Sequence, residues 1–364
     1  MTSRFFAVIG AGSGGLAMAG HLALLGHGVA LYNRSAERIS EIEERGGVSL
    51  RGVVEGLGRI ELASSNIAEV VSQADVIMIV VPAFAHRDVA ELCAPHLRDG
   101  QAVLLTPGRT GGAIEFRRVL ERAGTREKVQ VAEAQTILHT CRVGSVPAEV
   151  TIFSVKQQVP VAALPARDTD DVLARIRETF SQFTRAESVL STSLGNVGAI
   201  LHPAPTLLNV GWIETMRTQF LHYYEGITPS VARLLEQMDS ERLAIASAIG
   251  VSVPSVTEWL ESVYGARGGS LFDTIQATDA YREVYAPQTI QHRYLYEDVP
   301  TGLVPMASLG DVVGVDTPRM DLVIELACGI CGVDFWARGR TVEALGLSGL
   351  DAEGLRRFVG IRSP

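Results

Sequence analysis

In the run Gly195-Asn196-Val197-Gly198-Ala199-Ile200-Leu201-His202-Pro203-Ala204-Pro205, a single imidazole stands where an apolar helical stretch meets two prolines. Proline removes a helical N–H and its ring clashes with the preceding turn, so the helix must break at His202. The break can project the ring into a cleft between domains. Histidine ordinarily titrates near neutrality, so it can take a proton from one reacting atom and return it to another. A lone histidine among apolar residues is more often a hydrogen-bonded core group, and these residues alone leave both readings open.

A second constellation concerns phosphate. Gly10-Ala11-Gly12-Ser13-Gly14-Gly15 follows an apolar strand and opens a helix, the context in which G-x-G-x-x-G binds a dinucleotide. Gly10 permits the tight turn, Gly12 lets a pyrophosphate approach the backbone, and Gly15 allows the helix to pack closely on the sheet. Ser13 and Gly14 belong to the helix N-terminus, whose N–H groups point at the anion. The next strand ends in Asn33-Arg34-Ser35 rather than in the acidic residue that accepts hydrogen bonds from the NAD ribose. A cation beside a hydroxyl suits a 2′-phosphate, so NADP(H) is the preferred cofactor and NAD(H) a possible one. Val81 and Pro82 end a later strand and form the floor beneath the nicotinamide ribose. Thr106-Pro107-Gly108-Arg109-Thr110-Gly111-Gly112 ends another, and Arg109 there can meet a phosphate, a substrate carboxylate or solvent.

The elements that must position these groups are legible as periodicity. Apolar runs at Phe5–Gly10, Val29–Tyr32, Val76–Val81 and Ala102–Leu105 alternate with helical segments at Leu16–Leu25, Ala36–Glu44, Arg87–Leu97 and Ala113–Arg122. Such alternation specifies a parallel sheet buried on both faces. Val48–Leu50 and Arg59–Leu62 read as an inserted hairpin. Val129–Ala132, Glu149–Val155 and Val159–Leu164 are expected to extend the sheet, and Thr169–Phe183 to close the domain as a helix. Beyond about residue 190 strand-like runs nearly vanish and 3.6-residue periodicity takes over, as in Pro229–Ile249, Val253–Tyr264 and Met320–Gly329. The fold class is therefore α/β, with a Rossmann-type dinucleotide-binding domain over residues 1–187 and a mostly α-helical substrate domain over 188–364.

Composition agrees with this plan. The 364 residues are 47% apolar and 20% charged, close to the soluble globular average, and suffice for two domains. A formal charge of −9 without a basic stripe argues against a nucleic-acid partner. The N-terminus imitates a secretory signal, but five glycines between Gly10 and Gly20 interrupt it. The longest later apolar run, Val76–Val81, falls far short of the roughly 20 residues that span a bilayer. A cytoplasmic protein without membrane attachment is expected. Cys93, Cys141, Cys328 and Cys331 are too few and scattered for a disulfide framework, and Cys328-Gly-Ile-Cys331 lacks a second pair for zinc. They read as packed thiols, with no metal site.

Taken together, the glycine fingerprint, Thr106-Pro-Gly-Arg-Thr-Gly-Gly112, Ala132-Glu-Ala-Gln-Thr136 and the His202 segment resemble the octopine/nopaline, or opine, dehydrogenases. So do Tyr224-Glu-Gly-Ile-Thr-Pro229 and Arg293-Tyr-Leu-Tyr-Glu-Asp-Val-Pro-Thr-Gly-Leu-Val-Pro305. The resemblance covers nearly the whole chain in order. It implies a reductive condensation, in which the amine of an amino acid, or another amine, joins a 2-oxo acid and NAD(P)H reduces the imine. It further implies that His202 is the catalytic histidine, Asp298 its acidic partner and Arg293 the clamp for a substrate carboxylate, with Asn196 and Thr206 among the substrate contacts. Glu297 and Asp298 would point in different directions on an extended segment, so at most one faces the histidine. Related alcohol-forming reductases carry a lysine where this chain has Gly195, which argues against carbonyl-to-alcohol reduction. Two alternatives stand beside this reading: a 2-oxo acid reductase using NADP, and a non-catalytic NADPH-sensing protein. Apolar helices in the second domain make a homodimer possible.

Overall fold

The structure is a computed structural model that describes residues 4–125, 128–216 and 220–361. The chain divides into two compact units. One holds the chain through Gly108 and Gly112–Thr192, the other Arg109–Gly111 and the chain from Ser193 onward. The division thus falls five residues beyond the 187/188 boundary, and it takes one short loop out of the first unit.

In the first unit the strands are β1 (Phe5–Ile9), β2 (Gly28–Tyr32), β3 (Val48–Gly52), β4 (Gly56–Gly58), β5 (Leu62–Ser64), β6 (Val76–Ile79), β7 (Ala102–Leu105), β8 (Gln130–Ala134), β9 (His139–Val143), β10 (Glu149–Val155), β11 (Val159–Leu164) and β12 (Phe183–Arg185). Eight of them form one sheet in the order β12-β11-β8-β7-β6-β1-β2-β5, parallel except where β11 meets β8. Its central strands are apolar throughout because both faces are covered: Ala7 to Ile9, Val76 to Ile79 and Ala102 to Leu105 are all fully buried. The helices α1 (Ser13–Leu24), α2 (Ala36–Arg45), α3 (Ile67–Val71), α4 (His86–Cys93), α5 (Gly112–Arg122) and α6 (Thr169–Ile176) supply that cover.

Three sequence expectations change here. β10 does not extend the main sheet; it pairs with β3 and β9 in a second, four-stranded sheet of order β4-β3-β10-β9. Its polar Thr151 and Ser154 are the reason, since only one face of β10 is apolar enough to bury. The hairpin exists, but its return strand is Gly56–Gly58, while β5 departs to pair with β2. The expected closing helix ends at Ile176, and Phe183–Arg185 returns to the main sheet as an edge strand.

The second unit is helical. Its longest helix, Pro229–Ile249, starts where Thr228 caps the N-terminus ahead of Pro229 and stops at Gly250, whose φ of +80° takes the left-handed turn. Around it lie Val256–Tyr264, Val304–Val313 and Pro318–Cys331. Among the described residues its only β feature is an isolated bridge between Leu221 and Tyr285. Among the described residues no helix in either unit is long and apolar enough to cross a membrane.

Candidate functional site

The glycine turn has the geometry that a pyrophosphate cradle requires. Gly10 has φ +111°, and a side chain there would meet the Val80 carbonyl at 2.6 Å. A Cβ on Gly15 would stand 1.7 Å from the Gly10 carbonyl, so α1 packs against the turn only because Gly15 has none. At Gly12 an added Cβ meets nothing within 4 Å, which leaves open space before the first N–H groups of α1. Gly14 packs under Ile137. The Ser13 hydroxyl accepts a hydrogen bond from the Val143 N–H at 3.1 Å, so it ties α1 to β9.

Beyond β2, Asn33 Oδ1 accepts from the Ala11 N–H at 3.2 Å and so fixes the glycine turn to the strand end. Ser35 caps α2, and Arg34 is exposed. Asn33, Arg34, Ser35 and Arg38 line a pocket of about 470 Å³ together with the β9–β10 loop. Val81 presses against Gly10, and Pro82 lies exposed before a 3₁₀ turn at Ala83–Ala85. These residues fit a dinucleotide: a turn without side chains, a helix N-terminus, and a polar pocket at the next strand end.

Glu133, on β8, is fully buried in the same unit. It accepts the Ala113 N–H at 2.7 Å and the Thr192 hydroxyl at 2.6 Å, so it secures the start of α5.

In the helical unit, the helix Gly198–Leu201 ends at His202 and a new one begins with Pro203, as the prolines require. Two hydrogen bonds orient the imidazole: Nδ1 lies 2.7 Å from Asp298 Oδ2, and Nε2 lies 3.0 Å from the Tyr223 hydroxyl. Asp298 is fully buried, which would raise its carboxyl, but Arg109 and then His202 hold it down at about 2. With the carboxylate ionised, Nδ1 is the donor to Asp298, and Nε2 faces the phenol. Burial, then Tyr294 and Tyr281, push the Tyr223 phenol well above its ordinary value, so it remains protonated. The Tyr294 ring stacks on the imidazole at 4.1 Å, with 12° between planes. Two more histidines lie close by, and neither competes for protons near neutrality. Burial pushes His222 down to about 3; burial and then Arg293 push His292 down to about 4.

Glu297 and Asp298 do not lie on an extended segment. The helical turn Arg293–Tyr296 leads into a π-helical turn at Val299–Leu303, and both acids belong to this coil. One consequence is that both reach a single cation. Arg109 sends Nε to within 3.5 Å of Glu297 Oε1 and Nη1 to within 3.4 Å of Asp298 Oδ1. The sequence left Arg109 open to a phosphate, a substrate carboxylate or solvent; in the structure its guanidinium pairs with protein carboxylates. Two adjacent acids in a stretch about to be buried were the available signal, because such a pair needs a cation.

Arg293 is 55% exposed, with Nε 3.3 Å from Glu297 Oε2, so its guanidinium can still meet a ligand. Asn196 and Thr206 are committed differently. Asn196 accepts from Arg109 Nη1 at 3.2 Å and donates to the Thr110 hydroxyl at 3.3 Å; the fully buried Thr206 hydroxyl donates to the His202 carbonyl at 2.7 Å. Both hydrogen-bond to groups around His202. Tyr223, which the sequence does not single out, is the phenol on Nε2. The four cysteines are free thiols, with Cys328 Sγ accepting the Phe335 N–H. Among the described residues no cluster of three potential metal ligands occurs.

A family profile described as "NAD/NADP octopine/nopaline dehydrogenase, alpha-helical domain" matches residues 185–331, and one described as "NAD-dependent glycerol-3-phosphate dehydrogenase N-terminus" matches residues 6–113. An opine dehydrogenase of Arthrobacter sp. (strain 1C) is 43% identical over 358 residues, which are 98% of this chain and 99% of that protein. The chain belongs to the opine dehydrogenase family. It is an NAD(P)-dependent oxidoreductase acting on CH–NH bonds, which condenses an amine with a 2-oxo acid and reduces the imine to a secondary amine. Protein ocs of Agrobacterium tumefaciens (strain Ach5) is 26% identical over 96% of this chain and 98% of that one. In fold the chain matches an octopine dehydrogenase solved with NADH and L-arginine, at a TM-score of 0.81 and 20% identity over 100% and 99% of the two chains. A yersinopine dehydrogenase solved with NADP+ matches at 0.73 and 16% identity over 98% of each.

Proposed function

We propose that His202 manages the protons of this condensation, with Asp298 as its orienting carboxylate, Arg293 as the clamp for a substrate carboxylate and NADP(H) as the preferred cofactor. The observation that carries the reading is the 2.7 Å contact between Asp298 Oδ2 and His202 Nδ1 in a chain of this family. An amine attacks a carbonyl only after losing a proton, and the carbonyl oxygen leaves only as water. His202 Nε2 accepts the first proton and returns one to the departing hydroxyl, while Asp298 stabilises the imidazolium between the two events. NAD(P)H, when bound at Gly10, Gly12, Ser13, Gly14 and Gly15, supplies the hydride that reduces the imine carbon.

Arg34, exposed between Asn33 and Ser35 at the end of β2, supports preference for the 2′-phosphate. The class of oxo acid and amine is read from the family, and octopine dehydrogenase structures solved with L-arginine and with pyruvate illustrate the pairing. Free cysteines accord with a cytoplasmic site of action. The exposed Leu322 and Leu326, one turn apart on the helix Pro318–Cys331, support a homodimer that covers them.

His202→Ala tests the assignment. Turnover should fall on the order of a hundred- to ten-thousandfold while NADPH affinity stays near wild type; wild-type turnover in this variant would remove His202 from the mechanism. In the wild type, NADPH oxidation must need both a 2-oxo acid and an amine, and equal rates with the oxo acid alone would point to hydroxy-acid formation.

A further inference from the structure

We propose that Arg109 is a positioning residue that sets the proton affinity of His202 by sharing the Asp298 carboxylate with it, an inference that rests on the reading of His202 above. Asp298 gives Oδ2 to the imidazole and Oδ1 to the guanidinium, and Oδ1 makes no hydrogen bond otherwise among the described residues. The arginine therefore competes with the histidine for one buried anion. It also pairs with Glu297, whose other oxygen meets the half-exposed Arg293.

The local backbone is arranged to present this side chain. Arg109 has φ +59°, a left-handed conformation that a non-glycine residue adopts under constraint. The constraint is visible in the residues that follow it. The Thr110 N–H donates to the Thr301 carbonyl at 3.1 Å, its hydroxyl to the Ser193 carbonyl at 3.1 Å, and the Gly111 N–H to the Ser193 hydroxyl at 2.9 Å. The buried Arg340 donates to the Thr110 carbonyl at 3.1 Å. Asn196 holds Nη1 from the far side, and Gly198 makes the room, since a Cβ there would lie 2.8 Å from Nη1 and 3.3 Å from His202 Cε1.

Apart from Arg293 and the two acids, the remaining groups facing the imidazole carry no charge near neutrality. Tyr223 and Tyr294 are phenols that burial raises, and His222 is held neutral by burial. His292, packed edge-on against Tyr294, is neutral as well, and the half-exposed Arg293 points its Nε at Glu297. Arg109 is thus the buried cation that offsets Asp298 and Glu297. Without it, Glu297 keeps Arg293 but Asp298 faces the imidazole with no buried cation on Oδ1, the imidazolium is favoured, and His202 gives up its proton at higher pH.

The experiment follows the His202 ring through pH by NMR in the full-length protein, with pH–rate profiles for wild type, Arg109→Gln, Arg109→Lys and Gly198→Ala. Arg109→Gln should move both the titration and the rate inflection up by about one to two pH units, and Arg109→Lys should restore most of the shift. Gly198→Ala, which displaces the guanidinium while leaving its charge and loop sequence intact, should move both in the same direction by less, and it carries the test if Arg109→Gln does not fold. Superimposable titrations overturn the proposal, and so does a lysine variant shifted as far as the glutamine one, because anchoring rather than charge would then be at work. His202→Ala separates the two readings: turnover retained in that variant sinks the role of His202, while the NMR titration still decides what Arg109 does to the ring.

Discussion

The Tyr223 hydroxyl lies 3.0 Å from His202 Nε2, the ring nitrogen that Asp298 does not touch. Tyr223 is 4% exposed and its ring stacks on Tyr281 at 3.8 Å, so the phenol is held on that nitrogen by packing. A proton on Nε2 is consequently stabilised or released through this hydroxyl.

Tyr223→Phe keeps the ring and deletes the hydrogen bond. A net loss of about 1–1.5 kcal/mol corresponds to roughly a five- to tenfold fall in kcat, with little change in thermal stability. Steady-state kinetics beside a melting curve decide it; unchanged kcat would make the phenol a packing group only.

Gly12→Ala and Gly15→Ala should fail in different ways. The Gly15 Cβ would overlap the Gly10 carbonyl, so that variant should be destabilised by about 1–3 kcal/mol or more even without ligand. At Gly12 the added methyl enters open space, so the apo protein should melt as wild type while dinucleotide binding weakens at least tenfold. Equal binding of NADPH by Gly12→Ala and wild type would place the pyrophosphate elsewhere.

Arg34→Ala should weaken NADPH about ten- to a hundredfold, the value of one charge-assisted hydrogen bond, and leave NADH nearly unaffected. Fluorescence titration with both dinucleotides reads the difference directly. Equal losses would show that Arg34 does not touch the 2′-phosphate.

His139 connects a buried imidazole to acid stability. Its Nε2 lies 3.0 Å from His21 Nδ1, and burial followed by the neighbouring His21 pushes it down to about 3. The folded state resists a proton that the unfolded chain accepts near pH 6.5, so stability is fully present above that pH and is lost as pH falls toward about 3. At pH 5 this amounts to about 2 kcal/mol, and replacing His139 by Gln should flatten the fall in Tm between pH 7 and 5. A Tm profile as steep as wild type would assign the acid sensitivity to other groups.

How much of this was legible beforehand differs between the two units. Apolar runs, glycines and helix-breaking prolines act within a few residues of themselves, so the order of strands and helices, the phosphate turn and the break at His202 can be read from the chain. Glu149–Val155 shows the limit: its alternating polar residues mark a one-sided strand, but which sheet receives it depends on β3, which lies about a hundred residues earlier.

The site divides along the same line. Local chemistry singled out His202, and family resemblance supplied Asp298 and Arg293 as its companions. Which atoms meet was decided by contacts between residues 96 apart for His202 and Asp298 and 87 apart for Arg109 and Asn196. A buried charge takes whatever partner the fold brings to it, since an unpaired ion in the interior costs several kcal/mol. The sequence by itself therefore determined that an imidazole would stand at a helix break near a dinucleotide fingerprint. Only the tertiary structure decided that Arg109, Glu297, Asp298 and Tyr223 would surround it, because burial turns distant charges and phenols into neighbours that must satisfy one another.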